Sequence, residues 1–315
     1  MRVFCFGDIH IGPSRYQWVK DQEEKLEEWV LDNVRSWGCS RIVFLGDAFR
    51  DRMHSGRDKD RVWYVFRELA KEVDVVVIAG NHDYYDKGCE ESGLEVLKGL
   101  EGVHVVDMEV CSERVKGRDV VYVPWRWCVE EFRVILEGDV VFGHFELREA
   151  VMWEGAEQVG LEDFELVGVA VSGHIHKRQV VEKVVYAGVP FQRGFGDGVE
   201  VGGVVVDLET LEWWWVDGYG VKFIQVDRVE DLDGLDVRNC YVRVKDKDLV
   251  GRVRELGVVG VEYLPEVMRG YDGKEELLHW EVVKIDVWQM FEEYGRKVLK
   301  VGEKEIQWLR NLLVN

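Results

Sequence analysis

At 315 residues, 47% hydrophobic and 32% charged, the chain has the composition of a folded globular protein with room for one large α/β core and a smaller appendage, which excludes disorder. The net charge of −20 excludes a broadly basic nucleic-acid binder: residues 221–315 hold 16 Lys+Arg against 19 Asp+Glu and residues 1–220 hold 25 against 42, so any phosphate contact must be local or carried by bound cations. No apolar run reaches bilayer length, no leader pattern precedes the first strand, and the six cysteines lack CxxC spacing, which predicts a cytoplasmic protein with reduced thiols and no membrane partner.

Residues 2–10, RVFCFGDIH, read as an apolar strand ending on Gly7, Asp8, Ile9 and His10. Alternate residues of an extended chain face one way, so Asp8 and His10 converge at metal-ligand spacing while Ile9 turns into the core. An amphipathic helix follows over 17–37, with Trp18, Leu26, Trp29, Val30, Val34 and Trp37 on its apolar side and Gly38 at its end. RIVFLGD (41–47) is a second strand, closing on Gly46 and Asp47. The polar segment after it, AFRDRMHSGRDKDR, concentrates Arg50, Arg52, His54, Arg57, Lys59 and Arg61; it is either a solvated loop or a contact for substrate phosphate.

A helix over 61–72 leads into VVVIAGNHD (75–83), whose continuous β-branched run predicts a strand covered on both faces. Its end presents Asn81, His82 and Asp83 at the carboxyl edge of a sheet, where open α/β folds place their chemistry. Further on, the pattern predicts a short helix near 92–100, strands at 103–110 and 119–124, and a helix at 129–137. The strand over 139–146 ends on Gly143 and His144, and that over 167–176 on Gly173, His174 and His176, with Lys177 and Arg178 just beyond. Strands at 179–187, 201–207 and 211–217 flank a glycine-bearing loop, VPFQRGFGDG (189–198). Gly218, Tyr219 and Gly220 mark a boundary, after which 222–264 alternates strand and helix patterns and 284–301 and 303–313 read as amphipathic helices.

Five strand ends thus deliver Asp8, His10, Asp47, Asn81, His82, His144, His174 and His176, taking in five of the eight histidines. Two carboxylates, an amide oxygen and four imidazoles exceed what one divalent ion takes and suit two that share a carboxylate. Oxygen and nitrogen donors without thiolate point to Mn, Fe or Zn rather than Ca or a structural zinc. Such a pair serves phosphoester hydrolysis.

GDIH, GDAFRDR, GNHD, GHFE and SGHIH resemble, in order, the five motifs of calcineurin-like metallophosphoesterases, over residues 1 to about 217. Within that superfamily VPWRWCVEE, GHFELREAVMWEGAEQVGLEDF, YAGVPFQRGFGDG and MFEEYGRKVL resemble the SbcD-type DNA repair nucleases, in particular the small-subunit type of T-even-like phage recombination endonuclease. The resemblance implies a four-layer α/β/β/α sandwich over 1–217, a small α/β DNA-capping domain over 221–265 and C-terminal helices over 270–315. It implies one divalent ion, Mn first with Mg, Fe or Zn as alternatives, on Asp8, His10, Asp47 and His176, and a second on Asp47, Asn81, His144 and His174. His82 would meet the scissile phosphate, with Asp83 orienting it. Arg50 stands where many cellular members carry a further His, which makes it a candidate phosphate clamp, and His54 is near enough in sequence to replace that imidazole. Arg52, Lys177 and Arg178 are candidate substrate contacts. The implied partners are DNA, a second copy of the chain, and an SMC-like SbcC-type coiled-coil ATPase that would dock on the tail helices; those helices could instead pack on their own small domain. The competing function is a phosphomonoesterase or phosphoprotein phosphatase on the same metal cradle.

Overall fold

The computed structural model describes residues 1–14, 16–125, 138–147, 150–151 and 168–264. The first sheet has the order β12-β11-β1-β2-β3-β4, with β1 Arg2–Phe6, β2 Cys39–Phe44, β3 Asp74–Ile78, β4 Val103–Val106, β11 Gly202–Asp207 and β12 Trp213–Asp217. Strands β1 to β4 are parallel, and the β11–β12 hairpin adds antiparallel to β1. The second sheet runs β5-β6-β7-β8-β10-β9, built from β5 Cys111–Val115, β6 Arg118–Val123, β7 Val140–His144, β8 Val169–Gly173, β9 Gln179–Val181 and β10 Val184–Tyr186. Here β6, β7, β8 and β10 are parallel, with antiparallel edges.

Side-chain alternation explains the layering. Val3, Cys5, Val43, Leu45, Val76 and Ile78 face Val120, Tyr122, Val140, Phe142 and Val171 to make the core between the sheets. The alternate residues Phe4, Phe6, Ile42, Phe44, Val75 and Val77 face three helices, α1 Gln17–Glu23, α2 Leu26–Trp37 and α3 Gly56–Ala70, through Val19, Leu26, Val30, Val62, Val65 and Phe66. The expected covering of β3 on both faces is therefore met, and the mixed α/β sandwich is the expected fold class. The outer face of the second sheet carries a third cluster around Val121, Val141 and Tyr186. The helix expected at 129–137 lies outside the described residues, as do the helices at 284–301 and 303–313, Cys128, and everything assigned to 270–315.

Several boundaries differ from expectation for physical reasons. The single helix expected over 17–37 breaks between α1 and α2, which turns Gln22 and Glu23 inward to bond the chain near Gln192 and Arg193. Helix α3 starts at Gly56, earlier than the expected 61, because Ser55 and Asp58 form a capping box. The strand expected over 179–187 is a hairpin, β9 and β10, turning at Glu182 in a left-handed conformation. Strand β5 was not anticipated, since CSERV is exposed along most of its length and shows no apolar alternation. The region 103–110 ends as a strand at Val106.

A separate three-stranded parallel sheet follows, β13 Lys222–Val226, β14 Cys240–Val244 and β15 Gly260–Tyr263, with α4 Leu249–Glu255. It has its own core of Val226, Leu232, Val242, Val244 and Val253. Rings join it to the larger body: Tyr16 to Phe223 at 5.1 Å between centroids, Trp18 to Tyr241 at 4.9 Å, and Phe195 to Phe223 at 5.3 Å. Among the described residues no helix is long and apolar enough to cross a membrane.

Candidate metal centre

Because β1, β2, β3, β7 and β8 end at one edge, the five strand-end motifs meet there. Three overlapping groups of side chains have ligand atoms within 4.8 Å of one another: Asp8, His10 and His176; His10, Asp47 and His82; Asp47, His144 and His174. Asn81 completes the last group, its Oδ1 lying 3.0 Å from His174 Nδ1 and 3.2 Å from His144 Nε2. The cluster is built under strain: Asp8, His10, Asp47 and His174 all have positive φ, 55°, 45°, 57° and 78°, which costs non-glycine residues energy and marks sites where geometry matters more than stability. Gly80 is needed in the middle of it, since a Cβ there would lie 2.2 Å from Asp47 Oδ1 and 2.4 Å from the Asp47 nitrogen.

Hydrogen bonds at the far side of each ring fix what points inward. His10 Nδ1 faces the Phe49 carbonyl at 3.2 Å, and His144 Nδ1 the Leu45 carbonyl at 2.7 Å. His176 Nδ1 faces Asp197 Oδ1 at 2.7 Å, and His174 Nε2 faces Glu146 Oε2 at 3.2 Å. Each of these partners accepts only, so each ring carries its proton outward and its lone pair inward. Inside, His10 Nε2 and His176 Nε2 stand 2.9 Å apart and face each other as lone pairs when both rings are neutral, and the lone pairs of neutral His144 and His174 meet the Asn81 oxygen. Acceptors facing acceptors at these distances call for cations between them, so the donor set fits two divalent ions.

For the two carboxyls and for His10 and His144, electrostatics agrees. Burial raises Asp8 to about 7 and raises Asp47, whose carboxyl is pushed further by Asp8 and Asp83. Burial lowers His10 and His144 well below the usual imidazole value. Burial also pulls His176 down, but the hydrogen bond to Asp197 and that carboxylate's charge outweigh it and leave the net shift upward.

His82 stands on the open side, its side chain 40% exposed and its Nε2 4.0 Å from Asp47 Oδ2. Its Nδ1–H donates to the Arg50 carbonyl at 2.5 Å, and its backbone N–H donates to Asp47 Oδ1 at 2.8 Å. Burial lowers its pKa, partly countered by the Arg50 carbonyl.

Asp83 does something other than orient His82. It is fully buried and accepts from four backbone N–H groups, those of Asp47 (2.9 Å), Ala48 (2.8 Å), Phe49 (3.2 Å) and Gly80 (2.8 Å), so it ties the loop after β2 to the loop after β3. Arg50 is exposed at the rim, its guanidinium donating to the Pro13 carbonyl at 2.5 Å. Arg52 donates to the Asp86 carbonyl, and Lys177 is exposed. Arg178 is turned away from the centre: its guanidinium bonds the Val216 carbonyl and lies over Trp215 at 5.1 Å, with its side chain 8% exposed, so burial against β12 replaces the expected substrate contact. His54 stacks on Phe49 at 3.9 Å and bonds the His82 carbonyl at 2.9 Å, which spends it on holding the loop and leaves no second imidazole at the centre from that position. Sequence reasoning named neither Asp197 nor Glu146 as a site residue, although Glu146 closes the GHFE motif and Asp197 lies in the 189–198 loop; only the three-dimensional path of the chain pairs them with His176 and His174.

A two-sheet sandwich whose carboxyl edge gathers Asp, Asn and His ligands in overlapping groups defines a metal-dependent phosphoesterase. Residues 1–178 match the calcineurin-like phosphoesterase family, more than half of the chain, and the chain belongs to that family. Solved structures resembling it include the nuclease MPE of Pseudomonas putida, 16% identical with a TM-score of 0.31 over 57% of this chain and 64% of that one. Another is YfcE, a phosphoesterase from E. coli, 16% identical with a TM-score of 0.33 over 66% of this chain and 89% of that one. The match thus spans less than two thirds of the length of the nuclease.

Proposed function

We propose that the chain is a dinuclear-metal-dependent DNA nuclease of the SbcD type, hydrolysing phosphodiester bonds in double-strand-break processing and recombination. The observation that carries this reading is the Asp47 carboxylate, with Oδ2 3.7 Å from His10 Nε2 and Oδ1 3.6 Å from His144 Nε2, one oxygen toward each half of the centre. Two divalent ions there, Mn in the first instance, would neutralise phosphoryl charge and activate water for in-line attack. Asp8, His10 and His176 would hold one ion, Asn81, His144 and His174 the other, and Asp47 both. His82, half-exposed and with its Nδ1–H bonded to the Arg50 carbonyl, would donate a proton from Nε2 to the leaving oxygen. Arg50 at the rim acts as a phosphate clamp, with Arg52 and Lys177 beside the substrate path.

The DNA assignment is supported by the ordered motif strings, including those outside the described residues. Residues 221–265 would cap DNA, 270–315 would dock an SbcC-type coiled-coil ATPase, and the chain would act as a homodimer. The net charge of −20 favours a phosphomonoesterase or phosphoprotein phosphatase instead. A Mn-dependent assay on linear double-stranded DNA, single-stranded circles and p-nitrophenyl phosphate separates the readings. Cleavage of DNA, lost by about 10²–10⁴-fold in His82→Ala with Mn binding retained, supports the nuclease. Turnover of the monoester with both DNA substrates intact overturns it.

A further inference from the structure

The four histidines divide by what backs them. In each half of the centre one ring rests on a backbone carbonyl, His10 on Phe49 and His144 on Leu45, and the other on a carboxylate, His176 on Asp197 and His174 on Glu146. The two carboxylates are not equivalent. Asp197 Oδ1 reaches His176 Nδ1 at 2.7 Å while its Oδ2 accepts from the backbone N–H of Arg193 at 2.6 Å and of Gly194 at 3.1 Å, so its direction is set by its own loop. Glu146 is more exposed, 18% against 9%, and its bond to His174 is longer, 3.2 Å.

The same loop grips the three-stranded sheet. Phe195 meets Phe223 edge-on at 5.3 Å and lies 4.0 Å under the Arg243 guanidinium. The Gln192 amide accepts from the Phe223 N–H at 2.9 Å and donates to the Phe223 and Asp197 carbonyls at 3.4 and 3.3 Å. Residues 191–197 therefore form one strut, with β13 and β14 at one end and a histidine of the centre at the other.

We infer that Asp197 is a positioning residue, holding His176 in the tautomer and direction a divalent ion needs, and that residues 191–197 tie this orientation to the seating of the three-stranded sheet. The inference rests on the reading of the centre as a metal site. A carboxylate behind a ligating imidazole fixes its tautomer and raises its basicity, and losing one costs about 10–100-fold in metal affinity. Asp197→Asn keeps an accepting oxygen but removes the charge; Asp197→Ala removes both.

Calorimetric titration of the full chain with Mn(II) tests this. The native chain is expected to show two binding events. Asp197→Asn weakens one of them by about 10-fold and Asp197→Ala by up to about 100-fold, with the other event unmoved. Phe195→Ala weakens the same event to a smaller degree, although Phe195 touches no ligand. Unchanged Mn(II) affinity in Asp197→Asn, or equal weakening of both events, overturns the positioning role; an unchanged Phe195→Ala overturns the link to the sheet. No Mn(II) binding by the native chain overturns the metal centre itself. Thermal melts of each variant without metal identify loss of fold, and a folded Asp197→Asn is sufficient for the decision.

Discussion

The strand ends at the centre and the small sheet of β13–β15 are both parallel α/β structure, yet they are built to different standards. In the small sheet, among described residues 222–264, positive φ falls only on Gly234 and Gly257, where an added Cβ would meet open space, and the core is ordinary aliphatic packing. At the centre four functional residues take left-handed backbone, glycines are in contact with ligands, and three carboxylates, Asp8, Asp47 and Asp83, are buried together. The difference teaches where the molecule sacrifices stability: strain and unbalanced charge are confined to the edge that cations would neutralise.

Substitution of the shared ligand gives the largest separation. Asp47→Asn is expected to lower metal-dependent phosphoester hydrolysis by about 10³-fold or more, read in steady-state kinetics. A loss confined to one Mn(II) binding event would show that Asp47 serves a single half. The second effect is steric. Gly80→Ala forces a Cβ onto Asp47 and onto His144 Cε1 at 2.7 Å, and is expected to cost about 1–3 kcal/mol in denaturant unfolding together with metal affinity.

A third test uses pH. Burial places the Asp8 and Asp83 carboxyls at about 7 in the folded chain, above the ordinary 3.8, so the folded state favours their protonated forms. Their contribution to stability is present below pH of about 4 and is lost as pH rises through about 7. Chelator-treated protein should therefore melt at lower temperature as pH increases across that window, and added Mn(II) should restore more at pH 8 than at pH 5, by differential scanning calorimetry. An increment independent of pH would break the electrostatic half of the comparison. The smallest effect belongs to the ordinary region: Val242→Ala, fully buried in β14, should cost about 1–3 kcal/mol through lost burial and a small cavity, with Mn(II) affinity at the Asp8 and Asp47 centre unchanged.

What could be read in advance follows from range. Apolar runs closing on Gly and a polar residue are local signals, so Asp8, His10, Asp47, Asn81, His82, His144, His174 and His176 were legible and the structure brings them together. The partners behind them were not: Asp197 lies 21 residues from His176 and Glu146 lies 28 from His174, with no period linking either pair. The role that the resemblance gives Asp83 is not visible in its contacts, since its carboxylate turns back onto the loop after β2. Arg178 follows the strand end closely in sequence, but its long stem carries the charge to β12. Strand β5 and the break after Glu23 escaped because they answer to packing elsewhere in the fold, not to a local pattern.

The Asp83 tether has a mechanical consequence. With one carboxylate clasping four amides from two loops, Asp47 and Asn81 ride on a common rigid bracket, and neither can shift without dragging the other. The distance from the shared carboxylate to the Asn81 side of the centre is thereby set by main chain, so that it does not depend on the packing of side chains around the rim.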